Sequence, residues 1–210
     1  MPLRVALHRR ETGMGRFRAW LRGATGRFSA SESGVSAIEF AFIGGPFLMF
    51  LGCMFETGIL LFSEYTLQAA VQKASREVRT GIAQDSEVTA ADFKNKICGT
   101  STGVARFLMT CSKVVVYVSP SSTFTALNSA TPAATAIGVA ADGTAQATVY
   151  NCGQAAQPTT IIATYDYKFA FPFMGTVLGN FTKSDGSKYR RIAGIAVFRN
   201  EPFVTAKTCK

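Results

Sequence analysis

The chain has 210 residues, 48% of them apolar, with 22 Lys/Arg against 13 Asp/Glu and five cysteines. That length holds about one domain with room for a membrane segment. The formal charge of +9 is divided along the chain instead of gathered in one patch, which argues against a nucleic-acid binder.

Residues 1–34 are a basic leader with seven Arg against Glu11 and Glu32, without sustained apolar periodicity, and are expected to be disordered before processing. From Val35 to Phe62 the chain is apolar apart from Ser36, Glu39, Glu56, Thr57 and glycines. A bilayer-crossing helix needs about 20 residues, so 35–62 is read as one transmembrane helix. Arginines flanking a span stay cytoplasmic, which places the leader inside and residues 63–210 outside, in the periplasm. Gly44-Gly45-Pro46 predicts a kink within the span.

The helix is expected to continue past the membrane. Leu60, Leu67, Val71, Ala74, Val78 and Ile82 recur on one helical face, and Gly81 is a stop signal. This predicts one helix of roughly 45 residues, with 63–83 as its extension, and its apolar face is read as core contact with the chain's own sheet. Short helices are predicted over 89–111: one opens at the capping-box-like Thr89-Ala-Ala-Asp92, and a second covers Val104–Thr110. Strands are predicted at Lys113–Ser119, Gln146–Tyr150, Thr160–Phe171 and Ile192–Arg199, with loops over 119–144 and 172–190. The expected class is α+β, a long N-terminal helix packed on a small antiparallel sheet within 113–210.

Five cysteines divide along the same line. Cys53 lies in the apolar run, whereas Cys98, Cys111, Cys152 and Cys209 lie beyond it. Four cysteines in an exported domain suggest two disulfides with three possible pairings. Cys98–Cys111 would close a short loop, and Cys152–Cys209 would tie the C-terminal tail to the sheet. There is no C-x-x-C pair to suggest a zinc site, and no cofactor is implied. Phe50-Leu51-Gly52-Cys53 mimics a lipoprotein processing box, but Phe fits poorly at its first position.

Catalysis is not expected. The only histidine, His8, is in the leader, on the opposite side of the membrane from the domain, so no Ser-His or Cys-His centre can be built outside. Asp142, Asp166, Asp185 and Glu201 show no spacing that suggests a carboxylate pair. No phosphate-cradling glycine loop follows a strand.

Glu39 stands near the start of the apolar run, where a carboxylate is costly unless it is paired. By itself it could complement the helix dipole at headgroup level. Glu56 has two readings, a charged contact between packed helices or a position at the outer interface, and Arg76 and Arg79 are read as holding local carboxylates or backbone.

Gly34-Val35-Ser-Ala-Ile-Glu39-Phe40, between a basic leader and an apolar helix, is similar to the processing site of type IV pilin-like proteins. With Phe55-Glu56-Thr-Gly58, Ala74-Ser-Arg76-Glu-Val-Arg79-Thr-Gly81 and Arg199-Asn-Glu201-Pro-Phe203, the pattern resembles the TadE-like pseudopilins, minor subunits of tight-adherence (Flp) pili. The resemblance implies cleavage between Gly34 and Val35 by a prepilin peptidase. It also implies that Glu39 contacts the new N-terminus of a neighbouring subunit. The implied partners are other pilus subunits, that peptidase, an inner-membrane assembly platform and membrane lipid, with no nucleic acid or small-molecule substrate. The implied location is the bacterial inner membrane, single-pass, with the possibility of incorporation into a surface pilus for adhesion. The alternative is a permanently anchored periplasmic scaffold or binding protein that keeps its leader.

Overall fold

The computed structural model describes residues 35–98, 108–138, 140, 149–171, 173–204 and 207–209. The leader with Gly34, most of the predicted helix 104–110 and most of the predicted strand 146–150 lie outside the described residues. The chain divides after Leu51 into two units. In the first, the described residues are helical, and Phe40, Phe42, Ile43, Phe47, Leu48 and Phe50 are all exposed.

Helix α1 is assigned over Val35–Arg79, 45 residues, with Pro46 inside it. In the second unit one stripe of α1 is buried: Glu56, Leu60, Ser63, Leu67, Val71, Ala74 and Val78. The intervals of three and four residues keep the stripe on one face of a 3.6-residue helix. Ile82, predicted on the same face, is exposed. The reason is Gly81, whose φ of +81° turns the chain out of α1 and into the one-turn helix α2, Ile82–Asp85. A Cβ on Gly81 would also come within 2.6 Å of the Phe203 ring.

Helix α3, Ala90–Cys98, starts as its sequence predicts. The Asp92 amide donates to Thr89 Oγ1 at 3.1 Å, and that hydroxyl donates to Asp92 Oδ2 at 2.7 Å. The loop expected over 119–144 contains helix α4, Phe124–Ala130, capped by Thr123 Oγ1 accepting from the Ala126 amide at 3.1 Å. It also contains a single 3-10 turn at Ala134–Ala136.

The sheet has four antiparallel strands: β1 Val115–Pro120, β2 Pro158–Lys168, β3 Phe181–Thr182 and β4 Lys188–Arg199. Their order is β1-β2-β4-β3. The fold class is thus α+β, as expected, and the described sheet includes a strand that the sequence does not signal. Tyr150 makes only an isolated parallel bridge to Val118, and the fourth strand is the two-residue β3 within the predicted loop 172–190. That loop also holds α5, Met174–Leu178.

The main core joins the α1 stripe to Val116 and Val118 of β1, Ile161 and Ala163 of β2, and Ile192 and Ala196 of β4. A smaller cluster of Val115, Ile137 and Ile162 covers part of the other face. Covering on both sides explains why β2 is buried at seven successive residues instead of alternating. Gln68 fastens α1 to β4: its Oε1 accepts from the Ile195 amide at 2.8 Å and its Nε2 donates to the Ile195 carbonyl at 2.9 Å.

The longest ladder, β2 with β4, pairs Asp166 opposite Arg191. Arg191 donates from Nε to Asp166 Oδ1 at 2.6 Å and from Nη2 to Oδ2 at 3.0 Å, with both side chains nearly fully buried. Arg191 also donates to the Thr135 carbonyl at 2.7 Å and lies 3.9 Å over the Phe181 ring. A bidentate pair of this kind fixes register, because a one-residue slip would pull the buried carboxylate away from its guanidinium. Asp166→Ala leaves the guanidinium buried without its counter-ion and is expected to cost about 3–5 kcal/mol, read as a fall in the urea midpoint of the detergent-solubilised protein.

Candidate functional site

Three groups of residues carry the chemistry predicted from the sequence. The first is the start of α1. Val35 opens the helix and Glu39 is its fifth residue. Glu39 is exposed and has neither ion pair nor hydrogen-bond partner among the described residues. Its neighbour Phe40 is 75% exposed. A carboxylate is therefore exposed among apolar side chains near the start of α1. Gly34 falls outside the described residues.

The second group centres on Glu56, whose hydrogen-bond partners neither sequence reading names. Glu56 is only 4% exposed. Its Oε1 accepts from the Ala170 amide, and its Oε2 accepts from the Phe171 amide at 3.3 Å. The partner is thus backbone of its own chain, just beyond the end of β2. Hydrogen bonds from backbone N–H groups hold a buried carboxylate without a cation. The Tyr167 phenol is pushed upward, first by burial and then by the Glu56 charge.

The third group joins the two ends of the domain. Arg79 donates to Glu201 Oε1 at 3.1 Å, and the Glu201 amide donates to the Arg79 carbonyl at 2.8 Å. With Phe203 against Gly81, this brings the 74–81 motif and the 199–203 motif into one contact. Arg79 therefore holds a local carboxylate, whereas Arg76 is exposed in a groove shared with Val197 and Phe198. Asn200 donates to the Cys152 and Gln154 carbonyls at 3.0 and 2.9 Å, and Gln84 donates to the Cys152 carbonyl at 3.2 Å. Neither amide side chain stands out in the sequence, and only the position of Asn200 inside the 199–203 motif points to it.

One predicted disulfide is present. Cys152 and Cys209 are bonded, with Cα atoms 5.9 Å apart, and the tail is tied down as expected. The other is not: Cys98 and Cys111 are thiols. Short sequence separation brings them close enough for a hydrogen bond between the two side chains, but closeness does not set oxidation state. Burial, followed by that hydrogen bond, pushes the Cys98 thiol from 9.0 up to about 12. Cys53 is a half-buried thiol within α1.

On the second sheet face an open groove of about 440 Å³ is lined by Phe124, Leu127, Thr160, Ile162, Ile195 and Val197, with no ionisable side chain in its lining. Among the described residues, no group of three or more His, Cys, Asp or Glu is placed to hold a metal ion. Helix α1 is long and apolar enough to cross a membrane, and it stands near the N-terminus.

Residues 34–76 match the TadE-like protein family. The TadE-like segment runs from the expected cleavage position through Glu39 and Glu56 to Arg76, and it ends before the first strand. The match associates the chain with tight-adherence pilus systems. Comparison with curated proteins and with solved structures finds no match. The structure adds that the TadE-like segment is bound to the rest of the domain at its Glu56 position, through the Ala170 and Phe171 amides.

Two measurements follow. Glu56→Ala strips two amides of their acceptor and is expected to destabilise the domain by about 2–3 kcal/mol, seen as a lower melting temperature and faster amide exchange at Ala170 and Phe171. For Cys98 the folded value lies above the ordinary one, so its stabilising contribution is complete below about pH 9 and is lost as pH rises toward 12. Base titration should show this loss, and Cys98→Ala should flatten it.

Proposed function

We propose that the chain is a minor pilin or pseudopilin of a tight-adherence pilus. The observation that carries this reading is Glu39, an exposed carboxylate without a partner among the described residues, at the fifth position of α1 in its apolar first half. A peptidase cut after Gly34 would free the Val35 ammonium. That cation, on a neighbouring subunit, is the natural partner for a carboxylate in a low-dielectric helix bundle. Subunits would wait in the inner membrane with the leader in the cytoplasm and the domain in the periplasm, a topology supported by the seven leader arginines. The assembly platform would then bring helices side by side, and the domain would initiate, cap or adjust the fibre. The role is structural and not enzymatic, in keeping with a single histidine confined to the leader.

The test combines two readouts in the native host. Intact mass of the purified protein should place the mature N-terminus at Val35. Glu39→Ala should abolish surface pili while leaving protein level unchanged. A start at Met1 or Pro2, together with normal piliation of the Glu39→Ala strain, would instead identify a permanently anchored scaffold.

A further inference from the structure

The segment Tyr165–Phe173 places an aromatic ring at every second position, Tyr165, Tyr167, Phe169, Phe171 and Phe173, and then leads into α5. It does not behave as an ordinary surface loop. Phe171 lies against α1 where there is no side chain to obstruct it: a Cβ on Gly52 would come within 2.6 Å of the Phe171 ring. Four residues further along α1, Glu56 takes the amides of Ala170 and Phe171. The segment is thus fastened to α1 twice, by a ring and by its backbone.

Both of the elements that meet there also expose apolar side chains. On α1, Phe55 is 72% and Tyr65 71% exposed, and Met54, Ile59, Leu61 and Phe62 are exposed beside them in sequence. On the aromatic segment and α5, Phe173 is exposed and Val177 is 74% exposed, while Met174 and Gly175 turn inward. Lys168 and Lys188 are both exposed, and the Lys188 side chain lies beside Gly175. Apolar patches of this kind on a domain mark a partner.

Three observations point to lipid as that partner. The patch is continuous in sequence with the apolar run that begins at Val35. Irregular backbone can approach hydrocarbon only if its polar groups are satisfied within the protein, and Glu56 does this for the two amides nearest α1. Lysines beside aromatic and aliphatic side chains are the composition of a membrane–water boundary, with ammonium groups reaching headgroup phosphates.

We propose that Phe171 and residues 173–178 form a foot that seats the domain on the outer surface of the bilayer, with Phe173 and Val177 entering the acyl boundary and Lys168 and Lys188 meeting the phosphates. The proposal rests on the reading of α1 as a membrane span. It does not depend on cleavage or on fibre assembly.

Depth-dependent quenching tests it. The chain's single tryptophan, Trp20, is replaced in Trp20→Phe, and one new tryptophan is introduced at a time: Phe47→Trp in the apolar run, Val177→Trp in α5, or Val197→Trp on β4. Val197 is eight residues along β4 from Tyr189, the residue paired with Lys168, which is about 27 Å at strand rise. Full-length protein is reconstituted in vesicles of phosphatidylcholine and phosphatidylglycerol carrying bromine near the top of the acyl chain. The expected result is about two-fold loss of emission for Val177→Trp and none for Val197→Trp, with Phe47→Trp quenched by bromine placed deeper in the chain. Val177→Trp emission as insensitive as Val197→Trp, with Phe47→Trp still quenched, overturns the foot and leaves the span standing. A blue-shifted but unquenched Val177→Trp assigns the patch to protein contact and overturns the lipid assignment. An unquenched Phe47→Trp overturns the span and the foot together.

Discussion

A carboxylate that is 4% exposed and has no cationic partner within its hydrogen bonds is the constraint around which the domain is arranged. Glu56 needs donors, and the amides beyond β2 supply them. To meet it, β2 must run to its full length and end beside α1. Its neighbour β4 must hold register along that length, which the Asp166–Arg191 pair enforces. Gln68, twelve residues further along the same helix, secures it to β4. The helix, the two long strands and the aromatic segment are therefore mutually dependent, and none of the three polar attachments is local in sequence.

The family motifs read differently once they are placed in space. Glu39 and Glu56 look equivalent in the sequence, two acids in an apolar run. In the structure they have opposite situations: one is exposed without a partner among the described residues and the other is buried and satisfied. The TadE-like match spans both, but only Glu56 is held by its own fold. Likewise, the 74–81 and 199–203 motifs form one contact, with Arg79 on Glu201 and Phe203 against Gly81. That contact explains their joint presence without a ligand.

Helical features are readable because their signals are local. The α1 stripe, the Thr89–Asp92 cap and the Gly81 stop each depend on residues a few positions apart. Helix α4 carries a similar signal, Thr123 before Phe124 and Leu127, but Ser, Thr and Ala around it mask the periodicity. The partners of Glu56 are unreadable for a different reason: an acceptor that binds backbone amides selects no residue type at the other end. Strand β3 is also hidden, since two residues carry no alternation, and the Cys98–Cys111 expectation confused nearness with bonding.

The Cys152–Cys209 bond encloses both β2 and β4, as well as the Lys183–Ser187 turn between β3 and β4, in one covalent ring. Such a ring makes the centre of the sheet tolerant of a broken main chain. A protease that cuts at the turn opens the ring into a longer linear thread but releases no fragment, and the two long strands stay tethered while they remain paired. By a chain-entropy estimate, a ring of this length is worth about 4 kcal/mol to the folded state. Damage at that turn would therefore remain silent until the bond itself is reduced.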